Sequence, residues 1–521
     1  MRTVLFWSLL CSLISNAATA EPLGLQLRYR TETAPQSGRF HTLTREEQWP
    51  AEKTALILCD VWDTHGCHQA AMRVEELVER LNEVTEAARR QGVTIIHAPS
   101  SCMEFYQDHA ARQRAMNAPQ SASQPEEITK WCYQIPKEEQ GAYPLDQSDG
   151  GCDDTPEEHS KWAAELTAMG RNARHPWIRQ HAKIRIDEKR DYISDQGNEV
   201  WNILTAHGID NVLIAGVHTN MCVLGRPFGL RQMVRNGKNA ALIRDMTDTM
   251  YNPAMKPFVS HFTGTDLIVE HIEKWVCPTI TSTQLIGGEE FRFAADKRPH
   301  LVVLCAEDEY KTETTLPPYA LEELGKDYRV SFVFGSEDER GDVPGIAAIS
   351  DADILLVSVR RRPLPSEQLK VVRAYVQAGN PVLGIRTASH AFCLRNKPAP
   401  EGLADWPEFD AEVFGGNYSN HYANNLQTTV HLAGESPLLN GLERHDFPSG
   451  GSLYVTSPLK PGATVVMTGT VEDKPAEPLA WTFQRADGGK SFYTSLGHVK
   501  DFEQPEFRQL LKNALQWLGE K

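Results

Sequence analysis

Asp60, Lys189 and Cys222 are residues of the types that nucleophilic catalysis uses, and each stands at or near a point where an apolar run gives way to polar chain. Asp60 closes "ALILCD", Cys222 follows "VLIAG" within "IAGVHTNMCVLG", and Lys189 lies in "IRIDEKRDYISD", on the run leading into the next helix. A cysteine at the mouth of a helix meets the positive end of the helix dipole, which favours thiolate, and a nearby lysine adds to that effect. A carboxylate within reach accepts the thiol proton. The chemistry on offer is attack by sulfur on a carbonyl carbon. The competing reading is a buried structural thiol with two surface charges.

Such a trio needs elements that bring it together. "TALILCD", "VTIIHAP" and "NVLIAG" are continuous apolar runs, the pattern of parallel strands covered on both faces, and "AALIRDMTDT" reads as a fourth strand. "AAMRVEELVERLNEVTEAARRQG" has helical spacing and a stop at Gly92; "NEVWNILTAHG" and "LRQMVRNG" are further helix ends closing on glycine. In an open sheet of this kind, function sits at the carboxyl ends of the strands. "HLVVLCA", "RVSFVFG", "ADILLVSV" and "NPVLGIRT" repeat the strand pattern later, with the amphipathic "SEQLKVVRAYVQAG" among them. The fold class is therefore α/β, with two doubly wound parallel-sheet domains, Rossmann-like or flavodoxin-like. The first domain is placed at 21–290, its α/β body running from about Thr54 to Cys277, and the second at 297–521. "TSTQLIGGEEFRFAADKRP" is the linker. A Pro-, Gly- and charge-rich insertion at about 99–183 reads as a lid, a protein-contact region or a disordered loop.

The chain of 521 residues is 41% hydrophobic and 23% charged, ordinary for globular protein, and its net charge of -16 argues against nucleic acid or an anionic membrane as partner. A small-molecule substrate is the expected partner. Residues 1–20 read as a secretory leader: Arg2, the apolar run Val4 to Ile14, and an Ala18-Thr19-Ala20 cleavage signal before Glu21. The expected location is periplasmic or extracellular. Cys11 leaves with the leader and nine cysteines remain, an odd number, so at least one is unpaired within the monomer or bridged to another chain. Cys132 with Cys152 is the expected disulfide, while Cys59 and Cys305 lie inside apolar runs as buried thiols.

The stretches "ALILCDVWD", "IRIDEKRDYISD" and "GIDNVLIAGVHTNMCV", in that order and followed by "NGKNAALIRDMTDT" with Asp245, resemble the isochorismatase-like cysteine hydrolases, which include nicotinamidases and N-carbamoylsarcosine amidohydrolases. The resemblance implies Asp60 as general base, Lys189 as cation and Cys222 as nucleophile. It implies a cis peptide at Val217-His218, an oxyanion hole from the backbone N–H groups of His218 and Cys222, and hydrolysis of a non-peptide C–N bond, in a small amide or ureido compound, through a thioester without a cofactor. Members of this family are often homo-oligomers, and the sequence fixes no number. Trp62 stands where the family often has glutamine, as pocket wall or core residue, and His97 is either pocket lining or a core histidine. Gly225, Pro227 and Gly229 interrupt the run after Cys222, and Pro227 kinks or delays the helix there. Asp63, His65, Cys67 and His68 form a mixed cluster without the second half of a zinc motif, so no metal is assigned.

In "NPVLGIRTASHAF" a strand runs into a tight turn and a helix, the setting of a nucleophile elbow, but Arg386 holds the elbow position and Cys393 lies beyond it. With "FGGNYSNHY" and "SFYTSLGH", this region resembles the ThuA-like branch of the class I glutamine amidotransferase-like fold. Arg386, His390, His421 and His498 then either hold local structure or line a polar pocket for a sugar or an anionic small molecule. The alternative for the whole chain is a binding protein without turnover.

Overall fold

The computed structural model describes residues 21–520, so the leader expected over 1–20 lies outside the described residues. The first sheet is built from β1 (Leu23–Glu32), β2 (Phe40–Trp49), β3 (Thr54–Cys59), β4 (Thr94–Ala98), β5 (Tyr192–Ile193), β6 (Asn211–Val217), β7 (Asn239–Asp248) and β8 (Thr279–Ile280). Its order is β2-β1-β8-β7-β6-β3-β4-β5. From β8 to β5 every pairing is parallel, while β1 and β2 form an antiparallel hairpin added at the β8 edge. β3 and β6 are buried at every position, which is why they read as unbroken apolar runs rather than alternating ones. The hairpin has no such run, because β2, "FHTLTREEQW", is largely polar and partly exposed.

The second sheet contains β9 (His300–Ala306), β10 (Arg329–Phe334), β11 (Ile354–Val359), β12 (Val382–Ile385), β14 (Thr428–Leu432), β15 (Phe447–Ser449), β17 (Ala463–Thr470), β18 (Glu477–Gln484) and β19 (Lys490–Thr494); β13 (Asn420–His421) and β16 (Tyr454–Val455) pair separately. It is parallel from β10 through β9, β11 and β12 to β19, then antiparallel through β18, β17, β14 and β15. Both sheets are thus parallel in the body and antiparallel at one side. The short turn "RADGGK" between β18 and β19 explains the second case, since only antiparallel neighbours can be joined without a crossover.

The linker packs onto the first unit. Asp245 accepts hydrogen bonds from the Ser282 N–H (2.7 Å), the Ser282 hydroxyl (2.6 Å) and the Phe291 N–H (3.1 Å), and Phe293 stacks on Phe262 at 5.7 Å. At the junction, β2 lies against β10. Glu337 accepts from the Thr33 hydroxyl at 3.1 Å and pairs with Arg39, and a side chain at Gly345 would meet the Thr42 carbonyl at 2.6 Å. Among the described residues no helix is long and apolar enough to cross a membrane.

Candidate active site

β3 and β6 lie side by side with Cys59 opposite Gly216, so the residues that follow each strand emerge together at the carboxyl edge. Gly216 has φ +109, and a Cβ there would lie 2.0 Å from the Cys59 carbonyl oxygen; only glycine admits this approach. Beyond it the Val217-His218 peptide is cis, and Thr219–Val223 forms a single π-helical turn carrying Cys222. Thr219 and Asn220 tie that turn to the chain after β7. The Thr219 hydroxyl donates to the Asp248 carbonyl (2.9 Å), and the Asn220 amide bonds the Met250 carbonyl (2.8 Å) and N–H (2.9 Å).

Asp60 is fully buried, with φ +48. Its carboxylate accepts from the Ser100 N–H at 2.7 Å and from Arg226 Nε at 3.0 Å, and its charge acts on the Cys222 thiol. Burial raises the Asp60 carboxyl above its usual range, with Arg226 and the Ser100 amide pulling the other way. Burial, and then the Asp60 charge, push the Cys222 thiol well above an ordinary thiol, while Arg226 and the His218 backbone amide work against the shift. Burial therefore favours the thiol over the thiolate that the sequence suggests. One π-helical turn provides little dipole, and the next helix, Leu230–Arg235, starts only after Pro227 and Gly229.

The cation differs from the expected one. Lys189 is exposed in a turn, where Asp187 accepts its backbone N–H at 2.9 Å and that of Arg190 at 3.1 Å; β5 begins three residues later. The charge beside Asp60 and Cys222 belongs to Arg226. Its backbone N–H donates to the Cys222 carbonyl at 3.0 Å, placing both side chains on one face of the turn, a spacing of four that is legible in the sequence. Trp131, from the insertion, covers Arg226 at 5.3 Å, and Gly225 has no side chain because Trp131 fills the space.

Trp62 is buried, donates from Nε1 to the Ser100 carbonyl at 3.0 Å and stacks on Trp177 of the insertion at 4.3 Å. His65 extends this stack and meets the His218 ring edge-on at 4.9 Å. The insertion is therefore ordered wall: Trp62 and Gln180 form a β-bridge, and the Asp63 N–H donates to the Arg179 carbonyl at 3.0 Å. Ser100 Oγ, Thr64 Oγ1 and His218 Nε2 are buried with no hydrogen-bond partner among the described residues.

His97 is a core residue. Its ring joins the Gln180 amide and Asp191 Oδ2 (3.1 Å), and Asp191 also takes two hydrogen bonds from Arg89 (2.9 and 2.6 Å). Burial pushes the Asp191 carboxyl up, but the His97 and Arg89 hydrogen bonds outweigh it and hold it at about 2. A depressed folded-state value contributes stability that is complete above the unfolded carboxyl range of about 3.9 and is lost as pH falls towards the folded value. Asp191→Asn is expected to cost about 3 kcal/mol near neutral pH by leaving Arg89 unpaired. In urea unfolding the gap between the variant and the parent should shrink towards about pH 2.5.

Of the mixed cluster, Asp63 is taken by Arg171 at 3.0 Å, burial holds His65 down at about 4, and His68 packs on Trp162 at 4.7 Å. The described cysteines are all free thiols. The expected Cys132–Cys152 pair is not formed: Cys132 lies by the Gln134 carbonyl, and the insertion carries Cys152 to Cys67 instead. Cys59 and Cys305 are buried in strands.

In the second unit Arg386 follows β12 at φ +41, opens the turn Arg386–His390 and is fully enclosed. Its guanidinium lies between the rings of Tyr310 (4.0 Å) and Tyr454 (4.6 Å), donates to the Ser495 carbonyl at 2.7 Å, and leaves Nε without a partner among the described residues. His390 packs on Tyr418 at 4.7 Å, and burial, then neighbouring arginines, lower it to about 3. The Tyr418 hydroxyl joins the exposed His421 at 2.7 Å, and His498 faces Tyr310 at 5.8 Å. Tyrosines bring the four residues together.

No curated protein matches the sequence. Solved structures similar to parts of the chain include a ThuA-like protein from Bacteroides uniformis ATCC 8492, 14% identical, covering 44% of this chain and 95% of that one with a TM-score of 0.33. A cysteine hydrolase from Pseudomonas syringae pv. phaseolicola 1448A is 14% identical over 45% of this chain and 92% of its own, with a TM-score of 0.27. The N-carbamoylsarcosine amidase from Thermoplasma acidophilum is 16% identical over 44% and 96%, with a TM-score of 0.23. The family model described as ThuA, trehalose utilisation, matches residues 302–518, so the chain carries a ThuA domain behind its N-terminal α/β unit.

Proposed function

We propose that the N-terminal unit is an exported cysteine hydrolase that cleaves a C–N bond of a small amide or ureido compound through a thioester. The observation that carries this reading is the buried Asp60 carboxylate, held by Arg226 and the Ser100 amide at the strand end beside that of Cys222, where its charge acts on the Cys222 thiol. Asp60 takes the thiol proton as sulfur attacks the carbonyl carbon, so charge is moved within the pair rather than stored as thiolate. The backbone N–H groups of His218 and Cys222 receive the oxyanion. Collapse breaks the C–N bond, the proton on Asp60 leaves with the amine, and the acyl group stays on sulfur. Water, deprotonated by Asp60, then releases the acid and restores the thiol. The three unpartnered polar atoms, Ser100 Oγ, Thr64 Oγ1 and His218 Nε2, support a polar substrate, because buried groups left unpaired are costly. The Trp62–Trp177 stack suits a flat or apolar portion of it.

For the ThuA domain, the enclosed Arg386 with its free Nε supports a pocket for a sugar or an anionic small molecule. The test of the hydrolase is ammonia release from a panel of small amides, ureido compounds and carbamoyl amines, with acid-quenched mass spectrometry of the protein. Release together with an acyl adduct on the Cys222 peptide is expected. No release across the panel, or an adduct on another residue, overturns the reading.

A further inference from the structure

We propose that Cys67, Cys152, Asp154 and His159 bind a thiophilic divalent cation, zinc by preference, which clasps the insertion to the start of α1 (His68–Arg90). The donor atoms of Cys67, Cys152 and Asp154 all lie within 4.8 Å of one another. Cys67 Sγ is 3.3 Å from Asp154 Oδ1, His159 Nδ1 is 3.1 Å from Asp154 Oδ2, and Cys152 Sγ is 3.7 Å from His159 Nδ1. A tetrahedral zinc centre with bonds of about 2.0–2.3 Å has donor-to-donor edges of roughly 3.2–3.8 Å, and these three separations lie close to that range, with His159 at the margin of the group, beside Asp154 and Cys152. Two sulfurs and an imidazole select zinc over calcium or magnesium, which take oxygen.

The surroundings are built to hold the ligands. The Asp154 side chain is wholly buried and accepts from the backbone N–H groups of His68 and Gln69, both at 2.9 Å, so its oxygens are fixed in direction. Its neighbour Asp153 is occupied by Arg73 at 2.9 and 3.0 Å, which locks the loop and leaves Asp153 out of the donor set. His159 stands in the first turn of the helix Pro156–Ala168 and is half exposed, giving the ion an entry path. A dication also offsets the charge of two thiolates and a carboxylate. The centre is separate from Cys222 and independent of the hydrolase reading. It adjoins that site through His65, two residues before Cys67, whose ring packs on His218, and through Met221 and Met250, which pack with Cys67 and Cys152. The ion is thus a fastener for the wall that the insertion forms.

The test uses the full chain, reduced, stripped with a chelator and titrated with cobalt(II), then zinc(II). One metal per chain is expected, with a sulfur-to-cobalt charge-transfer band and tetrahedral d–d bands, and zinc should raise the thermal midpoint. Cys152→Ser and His159→Ala should each weaken binding at least about tenfold and abolish that rise. His159 is exposed, so its variant separates ligand loss from misfolding. Absence of the charge-transfer band in fully reduced protein, binding unchanged in both variants, or a Cys67–Cys152 disulfide in the protein as isolated would each overturn the proposal.

Discussion

Cys222→Ala is expected to lower ammonia release by about 10⁵-fold, the scale seen when a covalent nucleophile is removed and its base and oxyanion donors are left in place. The loss should fall on kcat. The alanine removes one sulfur and leaves the His218 amide, the Ser100 amide and Arg226 where they are, so substrate should still bind, and calorimetric titration should return an affinity near that of the parent. Stability should change by only about 1 kcal/mol, because the void is small and Asp60 keeps its Ser100 and Arg226 partners. Turnover within tenfold of the parent would place the nucleophile elsewhere.

Asp60→Asn should separate two properties that usually move together. Hydrolysis should fall roughly 10³-fold, since asparagine cannot take the thiol proton. Alkylation by iodoacetamide should become faster at a given pH. The sign follows from the charges: Asp60 raises the Cys222 thiol and Arg226 lowers it, so removing the carboxylate moves the thiol down and increases the thiolate fraction. The pH profile of alkylation should shift towards acid in the variant. A thiol equally slow to alkylate in both proteins would show that Asp60 does not govern its charge. The partly buried Arg226 loses its counter-ion, so a fall in thermal midpoint should accompany the kinetic effect.

Asp60 and Cys222 were legible in the sequence because both follow apolar runs that pair in parallel register, and register alone brings their strand ends together. Lys189 was not. Its neighbour Asp191 turns inward to His97 and Arg89, Asp187 caps the intervening turn, and the lysine is carried outward. The spacing of four between Cys222 and Arg226 is legible, but Pro227 and Gly229 break the helix there, and it is the bond from Arg226 Nε to Asp60 at 3.0 Å that shows the side chain returning to the nucleophile. The tandem of parallel bodies was readable from unbroken apolar runs; the β1–β2 hairpin and the antiparallel side of the second sheet were not, for their strands are half polar. Of the tyrosines that gather Arg386, His390, His421 and His498, Tyr418 lies in the quoted "FGGNYSNHY", while Tyr310 and Tyr454 come from distant segments outside any quoted motif.

The junction at β2 and β10 brings two sheet borders together. β2 is the last strand of one sheet and β10 the last strand of the other. Each would offer a row of unpaired backbone groups. Because the two borders face one another, each unit screens the other's most adhesive margin. Separating the ThuA domain from its N-terminal unit would uncover that margin, and the freed pieces would recruit copies of themselves where the intact chain finds its own neighbour already in place.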